Sequence, residues 1–564
     1  MKKISTLVCI ALLILVSPSQ AQNDEHFVDL LKKELKQQMK ELSSQKDVPY
    51  YMNYRVLDAY DTSVSSSFGA VVGKSSSHTK TFLPQIRIGN PKLDNFKLSP
   101  MGIDNPKKHG ESFLPLTEDG GDMATKQALW QEVNARYKFA VKMYQQVLSN
   151  SKTSVESSDK ASWFSPAPVE THYEKPLSAD KHYIDKEMWA KRLSEVSNVF
   201  SNQAHFTKGN VSISYKLDRR YFLDSEGTCV VQNLTYARII LTAECKTKDG
   251  SVLPLNKSFF AFDTKDLPDN TTLIACAKDM VKTLKELYKA PLAEPFTGPA
   301  LLSGPAAGVF FHEIFGHRTE GQRMKNDSDG QTFKKLVGKE VLSPELNVFD
   351  DPSLKRYAGT DLNGYYKYDE QGVKGQRVDI VKEGILNEFL MSRTPLDGHP
   401  KSNGHGRASY SFDPVSRQSN LVVETVKPYT EEQLCQMLRD EAKSQGKKYG
   451  YYFKEVTSGF ALTDKRSISS FNVTPLVVYK IYVDGRPNEL VRGVNLIGTP
   501  LSIFSNIKHA GDTPAVFTGM CGAESGWVPV TASAPSIFVK VVETQSSAKS
   551  QDLPAILPAP TCKK

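Results

Sequence analysis

The sequence lacks several features that would place it in a specialised class of protein. Only seven of its 564 residues are cysteine, and they are scattered without a C-x-x-C pair, which excludes a scaffold built on disulfide bonds. After the first twenty residues, no segment reaches the roughly 18–20 consecutive apolar residues that a membrane helix requires. There is no internal repeat, and acidic and basic residues are interspersed along the chain. These absences favour an ordinary folded protein with no integral membrane segment.

The first 21 residues are predicted to be a secretory signal peptide. Two lysines precede a short apolar run at 4–16, Pro18 ends that run, and Ala21 completes a cleavage site of small residues. We therefore expect an exported protein, periplasmic or extracellular. Without the leader the net charge falls from +8 to +6, because two of the 71 basic residues and none of the 63 acidic residues are lost. This small charge argues against nucleic acid as a partner.

The order of helical and strand patterns predicts a multi-domain α+β protein with antiparallel or mixed sheets and a few long helices. Helical periodicity occurs at 27–42, 124–148 and 270–289, whereas residues 211–217 and 237–245 alternate as strands do. The run Thr430-Glu-Glu-Gln433 is a capping box and predicts the start of a further helix. Residues 149–178 are rich in Ser, Lys and Pro and are typical of a linker or long surface loop. The expected divisions are the leader at 1–21, an N-terminal domain at 22–165 ending in a linker, a central domain at 166–298, a β-rich C-terminal domain at 299–545 and a disordered tail at 546–564.

The candidate chemistry lies in HEIFGHRTEGQ, residues 312–322. The spacing H-E-x-x-x-H differs from the H-E-x-x-H motif of common zinc proteases. Because an α-helix turns 100° per residue, histidines five residues apart lie about 140° apart around a regular helix. His312 and His317 can share a metal ion only if the helix contains an i→i+5 turn or ends there. Gly316 gives the backbone the freedom to do so.

Two interpretations of this motif are open from spacing alone. In the first, the histidines belong to an ordinary buried helix that follows the apolar run AAGVFF. In the second, they bind a metal, Glu313 takes a proton from a water on that metal, and Glu320 orients a ligand or binds the metal itself. A catalytic zinc site needs a third protein ligand, for which His405 and Cys521 are the candidates.

Several segments, in the same order, resemble the TldD/PmbA family of metallopeptidases. GPAAGVFFHEIFGHRTEGQ is similar to the helix that carries H-E-x-x-x-H in the family. NVFDDPS and the YDEQGVKGQRVDIVKEGILNEFLMSRT segment resemble the region that follows. NGHGRASYSFDPVSRQSN resembles an Arg-x-x-Asn segment, with Arg417 and Asn420, and TGMCGAESGWVPV resembles the segment with the cysteine ligand. The resemblance is strong over 296–544 and weaker over 50–290.

This resemblance implies a C-terminal metallopeptidase domain in which His312, His317 and Cys521 bind Zn²⁺ and Glu313 is the general base. His405 then becomes a polar residue that is not a ligand. The family also implies a homodimer, or a heterodimer with a paralogue, that encloses the active site and admits peptides or unfolded proteins as substrates. Gln322 departs from the family, which usually has Asp there, and a neutral amide would change the metal affinity if that Asp acts by its charge.

Two further functions stay open at this point. The chain could be a catalytically inactive, peptide-binding subunit of the family, although an intact Glu313 argues against this. It could also be a zinc amidase or deacylase that acts on cell-wall material with the same ligands. Export permits one or two disulfide bonds, but the sequence does not reveal whether the remaining cysteines pair; these are Cys229, Cys245, Cys276, Cys435 and Cys562.

Overall fold

A computed structural model of the chain describes residues 20–97, 112–116, 121–151, 159–325, 331–461, 471–498, 500–546 and 557. Apart from Gln20 and Ala21, the expected signal peptide lies outside the described residues, and so does the expected disordered tail apart from Ser546 and Leu557. Both stay predictions. Among the helices in these ranges, none has the length and apolarity needed to cross a membrane.

Eight α-helices occur in the described ranges, and the long ones begin and end close to where periodicity places them. The helix predicted at 270–289 is observed with those bounds, with Asp269 as its N-cap. The predicted capping box is also present, because the Thr430 hydroxyl accepts from Gln433 and the Gln433 side chain accepts from Thr430. The helices are α1 Gln20–Leu42, α2 Met123–Ser151, α3 Lys186–Ser197, α4 Asn270–Lys289, α5 Gly304–Ile314, α6 Gly321–Lys325, α7 Glu431–Ser444 and α8 Pro500–Phe504.

The first half of the chain forms an eight-stranded sheet in which the order of the main strands is β3-β2-β1-β6-β7-β5. β4 pairs with β2, and β8 pairs with β7. Strands from both 22–165 and 166–298 therefore share one sheet, while the domain boundaries themselves stay predictions. The strands are β1 Pro49–Ser67, β2 Ala70–Asn90, β3 Leu93–Asp94, β4 Ser112–Phe113, β5 Thr171–Tyr173, β6 Phe206–Asp224, β7 Cys229–Lys246 and β8 Val252–Ala261.

The second half forms a twelve-stranded mixed sheet, with the main order β14-β13-β10-β17-β24-β22-β20-β19-β9. β24 also pairs with β9, which closes part of this sheet into a ring around α5 and its apolar core. The strands are β9 Phe296–Leu302, β10 Leu346–Asp350, β13 Val378–Lys382, β14 Ile385–Leu386, β17 Asn420–Thr425, β18 Pro428–Tyr429, β19 Tyr449–Ala461, β20 Phe471–Tyr482, β21 Glu489–Val491, β22 Val494–Gly498, β23 Ile507–Ala523 and β24 Gly526–Ser546. Two small hairpins complete the list: β11 Arg356–Tyr357 with β12 Thr360–Asp361, and β15 Gly406–Arg407 with β16 Val415–Ser416.

Apolar and polar residues alternate along the strands of the N-terminal sheet, so the sheet has one apolar face and one polar face. Ile213, Ile239 and Leu241 are fully buried in the core that α3 and α4 share with this sheet. The other face carries polar side chains and lies against the C-terminal half of the chain, where Arg55 of β1 donates to the Phe412 carbonyl at 2.6 Å. Strands with one apolar and one polar face are what a half-covered antiparallel sheet requires. The α+β fold class predicted from the sequence is confirmed.

The segment predicted as a linker or surface loop is, over its described part, packed against the C-terminal half. Phe164 is buried, and Ser165 N–H donates to the Arg393 carbonyl at 2.9 Å. Asp159 lies 3.4 Å from the buried ammonium of Lys325. Residues 159–165 contain no helix or strand, as expected of a loop, but one aromatic ring and one carboxylate hold them against the C-terminal half instead of leaving them on the surface.

Candidate metal centre

The helix that carries the motif is placed by the strand before it and by the hairpin beneath it. β9 leads directly into α5, whose N-cap Ser303 accepts from Ala306 and donates to the Lys454 carbonyl at 2.7 Å. Gly308 lies so close to β24 that a Cβ there would be 2.9 Å from the Ala532 carbonyl oxygen. This close approach sets the C-terminal end of α5 beside the β23–β24 hairpin, which carries Cys521.

α5 ends between the two histidines of the motif. The α-helix stops at Ile314, Phe315 is its C-cap, and a 3₁₀ turn runs over Gly316–Arg318. Arg318 donates to the carbonyl of Ile314 at 2.8 Å, which satisfies one of the carbonyls that a helix end leaves free. Of the two geometries that the spacing allows, the structure therefore has the helix end and not the looser i→i+5 turn.

Gly316 is required by a close contact and not by an unusual backbone angle. A Cβ at this position would lie 1.9 Å from Oε1 of Gln418, a distance that no side chain tolerates. The Gln418 amide in turn donates to the His312 carbonyl at 3.2 Å. Gln418 therefore holds the last turn of α5 from the strand side, a role that sequence reasoning missed although the residue lies in the segment that resembles the family.

The structure brings together the three residues that the sequence nominated as ligands. One donor atom from each of His312, His317 and Cys521 lies within 4.8 Å of the other two. The two imidazole centroids are 5.0 Å apart, and the Cys521 sulfur is 3.4 Å from Nε2 of His317. All three side chains are buried. The grouping crosses about 200 residues of sequence, so it depends on the fold and not on local spacing.

The donor set fits a zinc ion. With Zn–S of ~2.3 Å and Zn–N of ~2.0 Å in tetrahedral geometry, ligand sulfur and nitrogen atoms lie ~3.5 Å apart. The observed separation of Cys521 Sγ and His317 Nε2, 3.4 Å, agrees with that value. His312 Nδ1 is buried and has no hydrogen-bond partner in the described part of the chain. Two imidazoles and a thiolate with a fourth position free are the ligands of a catalytic rather than a structural zinc site.

A buried carboxylate holds the second imidazole of the centre. Glu320 is fully buried, and its Oε2 lies 3.1 Å from Nδ1 of His317 and 2.9 Å from Nε of Arg323. Burial alone would raise the pKa of Glu320, but His317 and Arg323 outweigh it and lower the pKa to about 2. Such a carboxylate fixes the tautomer and orientation of a ligating histidine. Of the two roles that the sequence left open for Glu320, orientation of a ligand is the one that the contacts support.

Glu313 lies at the centre without belonging to the group of three. Its Oε2 is 3.9 Å from Nε2 of His317. Burial raises the pKa of Glu313 above that of an ordinary glutamate, although the nearby histidines oppose the shift. A carboxylate in such a place can accept a proton near neutral pH more readily than an exposed one.

The thiol of Cys521 lies in surroundings that favour its ionised form. Burial would raise its pKa, but His317 and His312 outweigh burial and hold the pKa of Cys521 well below its ordinary value. The residue pairs with Val528 across the β23–β24 hairpin. Arg417 fixes this hairpin, because it donates to the Cys521 carbonyl at 2.8 Å and to the Ser525 hydroxyl at 2.9 Å. Arg417 Nε also lies 3.5 Å from Glu320, so one side chain contacts both parts of the centre.

Gln322, the position that departs from the family pattern, contacts the turn of the same hairpin. Its amide donates to Glu524 at 2.7 Å, and Arg323 donates to the other oxygen of Glu524 at 3.1 Å. A neutral donor is therefore matched to a carboxylate at this point. An aspartate would place two carboxylates together, so Glu524 explains why an amide suits this chain. No pattern in the sequence indicates this pairing.

The other candidates lie outside the group. His405 is fully buried, and its Nε2 is 3.2 Å from the Asp350 carboxylate, so it is a structural residue of the C-terminal half. None of the five cysteines in the described ranges forms a disulfide bond, and Cys521 is therefore available as a ligand. Cys562 lies outside the described residues.

Known metalloproteases are similar to part of this chain. Residues 296–546 match the family described as PmbA/TldA metallopeptidase C-terminal domain. A metalloprotease of Methanocaldococcus jannaschii is 27% identical over 341 residues, which cover 59% of this chain and 70% of the relative. The zinc metalloprotease TldD homolog of Saccharolobus solfataricus is 25% identical over 283 residues, which cover 50% of this chain and 57% of the relative.

A solved structure extends the likeness to the whole fold. TldE from Thermococcus kodakarensis superposes with a TM-score of 0.61 at 14% sequence identity, covering 93% of this chain and 100% of TldE. At this identity the likeness shows the fold alone. The family match is limited to residues 296–546, and the likeness to TldE adds the fold of the chain.

Proposed function

We propose that this protein is an exported zinc metallopeptidase of the TldD type that hydrolyses peptide bonds in extended or unfolded chains. The observation that carries the proposal is the convergence of His312, His317 and Cys521 within 4.8 Å, with the Glu313 carboxylate beside them. The metalloprotease relatives support the reaction type, and the positively charged, apolar start of the chain supports export.

The reaction divides between the metal and the side chains around it. A bound zinc ion would polarise the scissile carbonyl and make a water molecule acidic. Glu313 would accept a proton from a water molecule held at the centre and would then donate it to the leaving amine. Glu320 keeps the His317 imidazole in one tautomer. Arg417 holds the Cys521 backbone in place, because it donates to the Cys521 carbonyl.

Burial of the centre supports an extended substrate. The three ligand side chains are each less than 9% exposed, so a peptide bond held in a folded surface could not reach them. An extended segment can enter such a cleft and add its backbone hydrogen bonds to a strand. We include a second subunit in the proposal, a copy of this chain or a TldE-like paralogue, because TldE is among the solved structures with this fold.

Zinc content and cleavage test the proposal together. We expect one zinc ion per wild-type chain, loss of the metal in Cys521→Ser, and retention of the metal without hydrolysis of an unfolded protein such as reduced casein in Glu313→Gln. Cys435→Ser is the matched control, because Cys435 is a half-buried thiol in α7. Undiminished hydrolysis in Glu313→Gln would contradict the role of Glu313, and full zinc in Cys521→Ser would contradict the ligand set.

The same measurements separate the two other functions. A wild-type protein that binds zinc and peptide but cleaves no substrate would be the inactive subunit. Cleavage of amide bonds in cell-wall fragments, without cleavage of unfolded protein, would indicate the amidase. The intact Glu313 beside the ligands favours an active enzyme over the inactive subunit.

A further inference from the structure

A second cavity, distinct from the metal centre, lies between the polar face of the N-terminal sheet and the β23–β24 hairpin. Its volume is about 660 Å³, within the range of sites for small ligands. Neither the three candidate zinc ligands nor Glu313 lines it. Its walls include Tyr236 and Arg238 of β7 on one side and Met520 and Trp527 of the hairpin on the other.

The strand registers explain why these side chains face the cavity. In β7, Tyr236 pairs with Lys216 and Arg238 pairs with Ser214, and all four project from the polar face because every second residue of a strand does so. In the hairpin, Cys521 faces the metal centre, so the adjacent Met520 faces the opposite way. The hairpin therefore separates the two sites.

One cation of the cavity, Arg238, has no carboxylate partner in the described part of the chain, whereas the others are paired or hydrogen-bonded; its guanidinium lies over the Phe260 ring at 5.9 Å. Arg220 is paired with Glu370 at 2.7 Å, and Lys216 with Asp218 at 3.1 Å. Arg238 Nη2 is buried and makes no hydrogen bond in the described part of the chain, and no carboxylate described there lies within 4.0 Å of this guanidinium. Burial lowers the pKa of Arg238 to about 10, which still leaves it charged at neutral pH.

Arg238 is half-buried, and a buried guanidinium nitrogen without a hydrogen-bond acceptor, such as its Nη2, is unfavourable unless a ligand supplies one. Its planar fork matches a carboxylate, which it can bind through two parallel hydrogen bonds. The carboxylates of Asp61 and Glu370 also line the cavity and would repel a dianion such as phosphate. Trp527 is 65% exposed and Met520 is 48% exposed, which leaves an apolar surface for the rest of a ligand.

We propose that this cavity binds a carboxylate carried on an apolar body, with the carboxylate on Arg238 and the body against Trp527 and Met520. The proposal goes beyond the peptidase function and does not rest on it, because the cavity shares no residue with the metal centre. Two sources offer the same chemistry: a free organic acid, and the C-terminal end of a peptide.

Calorimetric titration with matched acids and amides tests the proposal. The probes are N-acetylphenylalanine, its amide, and a pentapeptide that ends in phenylalanine as the acid or the amide. We expect each acid to bind at least about tenfold more tightly than its amide, and we expect Arg238→Gln to abolish that preference. Tighter binding of the peptide acid than of N-acetylphenylalanine would identify a peptide end as the ligand, and equal binding would identify a small acid; both support the proposal.

Arg486→Gln is the control, because Arg486 is an exposed arginine paired with Asp484 in the turn between β20 and β21. It should keep the preference for acids. The melting temperature of ligand-free Arg238→Gln should equal or exceed that of the wild type, because an unpaired buried charge is removed. A lower melting temperature would assign Arg238 a structural role and overturn the proposal. Equal binding of acid and amide, tighter binding of inorganic phosphate, or no binding of any probe would also overturn it.

Discussion

Glu320→Gln tests whether the buried carboxylate beside His317 sets the affinity of the metal centre. The wild-type carboxylate is ionised and contacts Nδ1 of His317 at 3.1 Å and Nε of Arg323 at 2.9 Å. Loss of such a partner of a ligating histidine weakens metal binding by roughly 10–100-fold, which corresponds to about 1.4–2.7 kcal/mol. Removal of one member of a buried ion pair costs about 3–5 kcal/mol of stability. Because Arg323 keeps Glu524 as a partner, we expect the lower end of that range.

Two measurements separate these effects. Competition with a chromophoric chelator gives the zinc dissociation constant, and urea unfolding of the metal-free protein gives the free energy of unfolding. Glu345→Gln is the matched control, since Glu345 contacts Nδ1 of His509 at 3.0 Å in a more exposed pair away from the centre. An unchanged zinc dissociation constant in Glu320→Gln would refute the orienting role. An equal loss of zinc affinity in Glu345→Gln would show that the effect is not specific to the centre.

Three further predictions concern the surroundings of the site and of the cavity. Gly316→Ala should lower the free energy of unfolding by about 1–3 kcal/mol and weaken zinc binding, because its Cβ would lie 1.9 Å from Gln418 Oε1. Gly511→Ala is the control: the nearest atoms to its Cβ are at 3.5 Å, so the free energy of unfolding in urea should not change. Gln322→Asp should lower the melting temperature although it restores the usual family residue, because its carboxylate would face Glu524; added salt should reduce this loss. Burial raises the pKa of Asp369 to about 7, so the folded protein holds this proton more tightly than the unfolded chain does. The free energy of unfolding should therefore fall as pH rises from ~4 to ~7, by at most about 1.4 kcal/mol per pH unit. Asp369→Asn should lack this slope when the two proteins are unfolded in urea at each pH.

The elements that follow from local pattern were predictable, and the contacts between distant segments were not. The 3.6-residue period placed α4, and the capping box placed the start of α7. The same local reasoning did not indicate that residues 159–165 pack against the C-terminal half, because Phe164 is buried by residues far away in sequence. The composition of a segment indicates how polar it is on average, but it does not show that one aromatic side chain, here Phe164, is buried.

The candidate site shows the same division. His312, His317 and Glu313 were visible as a motif, and Cys521 was reached from the residues only as one of two alternatives until the resemblance favoured it. The sequence pattern did not indicate the supporting residues Gln418 and Glu524, since both act through contacts that only the fold creates. Neither the contact of Gln418 with Gly316 nor the hydrogen bond from Gln322 to Glu524 corresponds to a characteristic spacing in the sequence.

The charges around the centre show why a cation belongs there. Cys521 and Glu320 are both buried and both favoured as anions, and Glu313 adds a third acidic group. Arg417 contacts Glu320, while Arg323 is shared between Glu320 and Glu524. Arg318 is a third buried arginine and lies close to Glu313. With neutral imidazoles, which metal binding requires, the four acidic groups still exceed the three arginines and leave a net negative charge. A dication would offset that charge, so we expect the metal-free centre to be compensated instead by protons on His317 and His312, and zinc uptake to release protons that a weakly buffered titration can count.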